Sequence, residues 1–235
     1  MRHPVVPRLP ATAAHVFVDD VETPVLRPDD AHHLTRVLRL RDGEAMTVSD
    51  GQGAWRACRF HADHIAPTAP AQRYQPPQPS VVIAFALTKG DKPELVVQKL
   101  TELGVDRIVP LVSARSVVQW DPAKAARNVE RLGAVARAAA MQSRRPFLPV
   151  VDSVTTLAEL ARQVPGLALA HPDSGPLGDD VAAVAIGPEG GWSEQESAAV
   201  PRHVDLGPTT LRAETAALAA GVLLTALRDG RFRTE

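Results

Sequence analysis

The sequence predicts an α/β protein in which a mainly parallel sheet follows a smaller, β-rich domain. Three observations carry this expectation. Beyond residue 80, apolar runs of strand length alternate with helical periods. Before residue 67, short apolar pieces are separated by turn residues such as Asp42-Gly43 and Gly51-Gln52-Gly53. Between the two, Pro67 to Pro79 holds five prolines and no sustained apolar period, as an extended linker would. The expected domains are 1–74 and 75–235.

In the first domain, His15–Val18, Ala45–Val48 and Ala54–Phe60 have strand character, and Asp29 to Arg39 has the pattern of one short helix. Helical spacing sends Leu34, Val37 and Leu38 inward and His32, Arg36 and Arg39 outward. In the second, Val81–Leu87 is continuously apolar, which suits a strand covered on both faces. Asp91-Lys92-Pro93-Glu94 then supplies an N-cap, an early proline and an acid three residues on. Val96, Leu100 and Leu103 form the inner stripe of that helix, Gly104 ends it, and Val105–Val112 returns as a strand to complete a βαβ unit.

Asp121-Pro122 opens a long helix with the stripe Ala125, Val129, Leu132, Ala136 and Ala139. A strand near Phe147–Val151 and a helix capped by Thr156 and Glu159 follow. Strands are expected at Leu167–Ala170 and Val181–Ile186, and helices from about Ser193 and Leu211.

Hydrophobic residues at 45% and charged residues at 23% exclude a largely disordered chain. One cysteine, Cys58, allows no internal disulfide and no cysteine zinc cluster, and points to a reducing compartment. The opening MRHPVVPRLP lacks the apolar core of an export signal, and Ala216–Leu224 is about half the roughly 18 residues of a spanning helix, so a cytoplasmic protein with no membrane partner is expected. Net charge is −1, but it is unevenly distributed. Residues 1–78 hold nine cations and nine anions, 79–150 eleven and six, and 151–235 six and twelve. A basic middle segment on a near-neutral chain suits a polyanion, and equally two solvated faces of opposite sign. Aromatics at 4% provide no stacking platform for single-stranded RNA.

Two strand–turn–helix segments have the composition of a ligand site. Ile186-Gly187-Pro188-Glu189-Gly190-Gly191 runs into Ser193-Glu194-Gln195-Glu196, where exposed amides favour an acceptor-rich ligand. It has neither the Lys-Ser/Thr of a P-loop nor the G-x-G-x-x-G order, and a plain turn would use the same glycines. Leu206-Gly207-Pro208-Thr209-Thr210-Leu211-Arg212-Ala213-Glu214 is the second segment. Glu214 complements the helix dipole and Arg212 opposes it, which fits either a functional cation or an ordinary surface pair. His171-Pro172 after an apolar strand, and the cations Arg36, Arg39, Lys89, Lys92, Arg144 and Arg145, are further candidates. His32-His33 and His61-x-x-His64 lack partners at a zinc spacing, so no metal is expected. No G-x-S-x-G elbow or catalytic-thiol signature occurs.

In order, HHLTRVLRLRDGE, KGDKPELVVQKLTELGV, IGPEGG and LGPTTLRAETA resemble the ribosomal small-subunit methyltransferase E family, over about residues 30 to 227. That resemblance implies S-adenosylmethionine-dependent methylation of uridine N3 in 16S rRNA, in the assembled 30S subunit, by a homodimer. It implies a PUA-like β-barrel before a SPOUT domain with a deep trefoil knot. Cofactor contacts would come from Leu169, His171, Pro172, Ile186, Gly187, Glu189, Gly190, Gly191, Leu206, Gly207, Leu211 and Thr215. Arg212 and Glu214 would be catalytic, and Arg36, Arg39, Lys89, Gln142, Arg144 and Arg145 would meet RNA. One departure is evident: the family often has Glu-Gln after its alanine-rich helix, and here the acid's position is Met141.

Overall fold

A computed structural model describes residues 8–62 and 64–231. The chain forms two compact units, one built from Pro77–Ala136 and Pro149 onward, the other from the preceding chain up to Pro76 together with Arg137–Leu148.

The amino-terminal unit carries β1 (Ala14–Phe17), α1 (Pro28–His32), β2 (Ala45–Ser49), β3 (Ala54–Phe60), β4 (Ile65–Pro67) and β5 (Gln72–Arg73). The sheet order is β1-β2-β3-β4, with β5 also on β3; β1 and β2 are parallel and the other pairs antiparallel. The stretch expected as a linker therefore enters the sheet through Pro67, the last residue of β4, and through Gln72–Arg73 of β5, because one or two paired residues need no apolar period of their own. Val16, Met46, Val48, Cys58 and Phe60 fill the core. Burial pushes the Cys58 thiol up to about 11, which leaves it inert as a nucleophile near neutral pH.

The expected helix over 29–39 is only partly α-helical. After α1, residues His33–Val37 form a π-turn, with Leu38 N–H donating to the His33 carbonyl at 3.0 Å. An i→i+5 turn winds more slowly than 3.6 residues per turn. Leu34 consequently stays buried while Val37 and Leu38 turn outward, 61% and 47% exposed, contrary to the helical spacing.

His15, in β1, is buried between Thr47 and the carbonyl of Arg145. Nε2–H donates to that carbonyl at 3.1 Å, so Nδ1, 2.9 Å from Thr47 Oγ1, accepts from the hydroxyl and the ring is neutral. Burial pushes its pKa down to about 4 from 6.5. The unfolded state thus binds the extra proton first: stability is full above about pH 6.5 and declines as pH falls toward 4, by roughly 3 kcal/mol in total. Urea unfolding at about pH 7 and about pH 4.5 is expected to show a loss roughly 2–3 kcal/mol larger in the native chain than in His15→Gln. Equal losses would refute the assignment.

The second unit contains β6 (Val82–Ala86), α2 (Lys92–Leu103), β7 (Arg107–Val112), most of α3 (Pro122–Gln142), β8 (Val150–Val151), β9 (Thr155–Thr156), α4 (Leu157–Gln163), β10 (Ala168–Ala170), β11 (Ala183–Ile186), α5 (Glu194–Ala199), β12 (His203–Val204) and α6 (Ala213–Arg228). Every pairing in its sheet is parallel, in the order β12-β10-β11-β6-β7-β8, with β9 also on β7. Alternate residues face opposite layers. Ile83, Phe85, Ile108 and Val184 pack against α2, α3 and α6, whereas Val82, Ala84, Val109 and Ala185 pack with Leu157, Leu160 and Trp192. Gly221 lets α6 approach α2 closely, since a Cβ there would lie 2.7 Å from Leu100 Cδ2.

The capping expectations divide. Thr156 with Glu159, and Ser193 with Glu196, form reciprocal capping boxes, and Asp121 accepts from Lys124 N–H at 2.9 Å. Asp91 occupies the N-cap position of α2 without a side-chain bond, and Glu94 instead pairs with Arg131. Along α3, Leu132, Ala136 and Ala139 are buried as expected, but Ala125 and Val129 are only half-buried.

Candidate active site

Strands β12, β10 and β11 lie side by side and point the same way, so their carboxyl ends open on one edge of the sheet. The loops leaving those ends, with the start of α6, enclose a cleft of about 500 Å³, a size typical of small-ligand sites.

The glycine loop after β11 is shaped by Trp192. Its indole N–H donates to the Ala170 carbonyl at 3.2 Å, tying the loop to the end of β10. A Cβ on Gly187 would come within 3.0 Å of the indole, so the missing side chain makes room for that ring. Beyond it, the Ser193–Glu196 capping box fixes where α5 starts. In the loop after β12, Asp205 N–H donates to the Gly175 carbonyl at 2.8 Å, and Asp205 Oδ1 accepts from Gly207 N–H at 3.0 Å. Gly207 adopts φ 147°, and a Cβ on either Gly191 or Gly207 would meet nothing within 4 Å. Both backbones therefore border open space and allow a ligand to approach closely, while their N–H groups are held within the loops, that of Gly207 by Asp205 and that of Gly191 by the Pro188 carbonyl at 2.8 Å.

Charge around the cleft is mixed. Asp173, Glu189, Asp205 and Arg115 lie on its wall beside the apolar Ile186, Leu206 and Leu211. Lys92, at the start of α2, has its ammonium 3.1 Å from Glu214 and 3.9 Å from Glu189, so it bridges the glycine loop and the first turn of α6. Its own backbone N–H at the helix start, and then Lys92, hold the Glu214 carboxyl below the usual range. Arg212 is the N-cap residue of α6, exposed and without a side-chain capping bond.

His171, Pro172, Ile186, Gly187, Glu189, Gly191, Leu206, Gly207 and Leu211 all line the cleft. Gly190 is exposed but does not line the cleft, and its carbonyl accepts from Arg115 at 3.1 Å. Leu169 is buried inside β10 and Thr215 is exposed on α6, so neither side chain reaches the wall. Arg212 and Glu214 flank the wall residue Ala213 at the mouth of α6. The sequence did not single out Arg115, Asp173, Trp192 or Asp205. Trp192, directly after the glycines, had a local signal; Arg115 had none, since it arrives from the loop after β7.

Among the nucleic-acid candidates, Arg36 and Arg39 are exposed around the π-turn, Lys89 is exposed between β6 and α2, and Gln142 is exposed at the end of α3. Arg144 and Arg145 are half-buried; Arg144 donates to the Thr12 carbonyl, which commits part of its guanidinium to the fold. Met141 packs partly buried against the amino-terminal core, and its sulfur lies 3.3 Å from Arg137 Nη1. Among the described residues, no group of three or more His, Cys, Asp or Glu side chains is arranged to hold a metal, and no helix is long and apolar enough to cross a membrane.

A family model described as an RNA methyltransferase domain matches residues 75–225, and one described as an RNA methyltransferase PUA domain matches residues 26–63. Ribosomal RNA small subunit methyltransferase E of Mycobacterium bovis is 33% identical, covering 90% of this chain and 86% of its own. Its Bacillus subtilis counterpart is 30% identical, covering 86% and 90%. Among solved structures, the Neisseria gonorrhoeae enzyme of that name bound to S-adenosyl methionine aligns with a TM-score of 0.77 and 27% identity, over 91% of this chain and 97% of the other. A methyltransferase from Legionella pneumophila, in complex with the bound cofactor SAM, aligns with a TM-score of 0.79 and 26% identity, over 90% and 96%.

Proposed function

The chain belongs to the ribosomal RNA small subunit methyltransferase E family, and from that membership we propose that it methylates N3 of a uridine in 16S rRNA, within the assembled 30S subunit, using S-adenosylmethionine. The observation that carries this is the cleft across the ends of β12, β10 and β11, drawn from both glycine-bearing segments. Its chemistry fits the cofactor. Asp173, Glu189 and Asp205 suit a ligand bearing sulfonium and ammonium charges, while Ile186, Leu206 and Leu211 suit its apolar surface. The open faces of Gly191 and Gly207 let the ligand approach the backbone closely.

When bound, the cofactor supplies an electrophilic methyl group. The remaining work falls to the protein: it excludes water, brings uridine N3 into line and stabilises charge on the base as the N3 proton leaves. Arg212 is the group for that last task. It is exposed at the cleft mouth and opposed to its own helix dipole, so its charge serves the helix poorly. Glu214, held ionised by its backbone N–H and Lys92, fixes the start of α6 beside it.

The same family membership supports a SPOUT domain whose loops after β11 and β12 thread a trefoil knot. It also supports a PUA-like barrel from β1–β5 that meets RNA through Arg36 and Arg39, with Lys89, Gln142, Arg144 and Arg145 adding contacts. The same membership supports a homodimer. The test is transfer of labelled methyl to undermethylated 30S subunits, naked 16S rRNA and tRNA, with nucleoside analysis. The expected product is 3-methyluridine from 30S subunits. Cofactor binding without transfer to any acceptor, or a different modified nucleoside, would overturn the proposal.

A further inference from the structure

Among the described residues, three acids and one permanent cation line the cleft, the cation being Arg115. An acidic cleft attracts a cationic cofactor and repels the RNA that must reach it. Some group on the wall has to offset that repulsion for a phosphodiester to approach.

Arg115 belongs to the loop after β7, two strands from β11 in the sheet, and is held against the glycine loop by separate contacts. Its Nη1–H donates to the Gly190 carbonyl at 3.1 Å. A Cβ on Gly190 would lie 3.4 Å from Arg115 Cβ, so the two backbones are in close packing. The neighbouring Ala114 N–H donates to Glu196 Oε1 at 3.0 Å, while Glu196 Oε2 accepts from Ser193 N–H at 2.9 Å and from its hydroxyl at 2.8 Å. One carboxylate thus fixes both the start of α5 and the loop that bears Arg115. Arg115 itself is exposed, and only one of a guanidinium's five N–H donors is committed to Gly190. The uncommitted donors form a planar fork that matches the non-bridging oxygens of a phosphate.

We propose that Arg115 anchors a phosphodiester of the acceptor RNA at the cleft, with the Gly190 carbonyl aiming its guanidinium. This rests on the methyltransferase assignment above, and it identifies a residue that ties substrate position to the loop expected to hold the cofactor. The exposed side chain makes Arg115→Met compatible with folding.

The experiment measures steady-state transfer to 30S subunits, salt dependence of RNA affinity and calorimetric S-adenosylmethionine binding for the native chain, Arg115→Met and Arg115→Lys. In Arg115→Met, KM for the acceptor is expected to rise about 10-fold or more, with kcat and cofactor affinity within about three-fold. The slope of log affinity against log salt is expected to fall by about 0.7 to 0.9, the share of one phosphate contact. Arg115→Lys should restore that slope, because it keeps the charge, and only part of the KM. Unchanged KM and salt slope in Arg115→Met would overturn the proposal, as would a loss of cofactor affinity large enough to account for the lost activity. Absence of transfer by the native chain would instead overturn the methyltransferase assignment, and this proposal with it.

Discussion

Arg212→Ala is expected to slow single-turnover methyl transfer by about 100- to 1,000-fold, the usual loss when one preorganised charge stabiliser is removed from a transition state. S-adenosylmethionine affinity should stay within about three-fold, because Arg212 lies outside the cleft wall while its neighbours Leu211 and Ala213 are part of it. Stability should barely change. The residue is exposed, forms no side-chain capping bond, and places a cation at the positive end of α6, so its removal relieves a small dipole conflict. Rapid-quench transfer with saturating cofactor and 30S subunits reads the chemical step directly. Native rates in a variant that binds cofactor normally would remove Arg212 from the mechanism and turn attention to Lys92, whose ammonium meets Glu214 at the start of α6.

Asp30→Ala is expected to destabilise the amino-terminal unit by about 3 kcal/mol or more, since breaking a largely buried ion pair strands its partner. Asp30 and Arg137 have side chains only 7% and 23% exposed and meet through paired bonds of 2.9 and 2.7 Å. The guanidinium also donates to the Phe17 carbonyl at 3.2 Å and stands 5.8 Å from the centre of the Phe17 ring. One arginine at the end of α3 therefore joins α1, β1 and Met141. Urea unfolding of Asp30→Ala, Arg137→Met and the double variant forms a double-mutant cycle. The double variant should be more stable than the sum of the single losses predicts, because it leaves no stranded charge. Strict additivity would show that the pair is energetically silent.

Signals local in the chain were the legible ones. Gly104 ends α2 in the left-handed region, and the Thr156–Glu159 and Ser193–Glu196 boxes form where their spacing placed them. The continuous apolar run before Lys89 became β6, inside the sheet. What escaped depended on distant partners. β5 and β9 are two residues each and exist because another strand presents its edge, so no period announces them. The π-turn reversed the expected faces of Val37 and Leu38, since a periodicity argument assumes an α-helix throughout. At the site, both glycine-bearing segments were legible because close backbone approach demands that composition. Arg115 and Asp205 were not, since single charged residues are ordinary surface until the fold gathers them.

The order of strands in the sheet also has a consequence for synthesis. β11 pairs with β6 across about a hundred residues, Ala183 opposite Val82, whereas β6 and β7 are joined within one short βαβ unit. On a growing chain, β6, α2 and β7 can associate early, but the cleft wall extends to Ala216 in α6. Loop closure over the longer span costs only about 1 kcal/mol more than over a quarter of its length, so the delay is one of sequence and search rather than of stability. A nascent chain interrupted before α6 would expose the sheet's inner face and leave the cleft without Ala213 and Ala216, so the proposed cofactor site closes only when α6 is made.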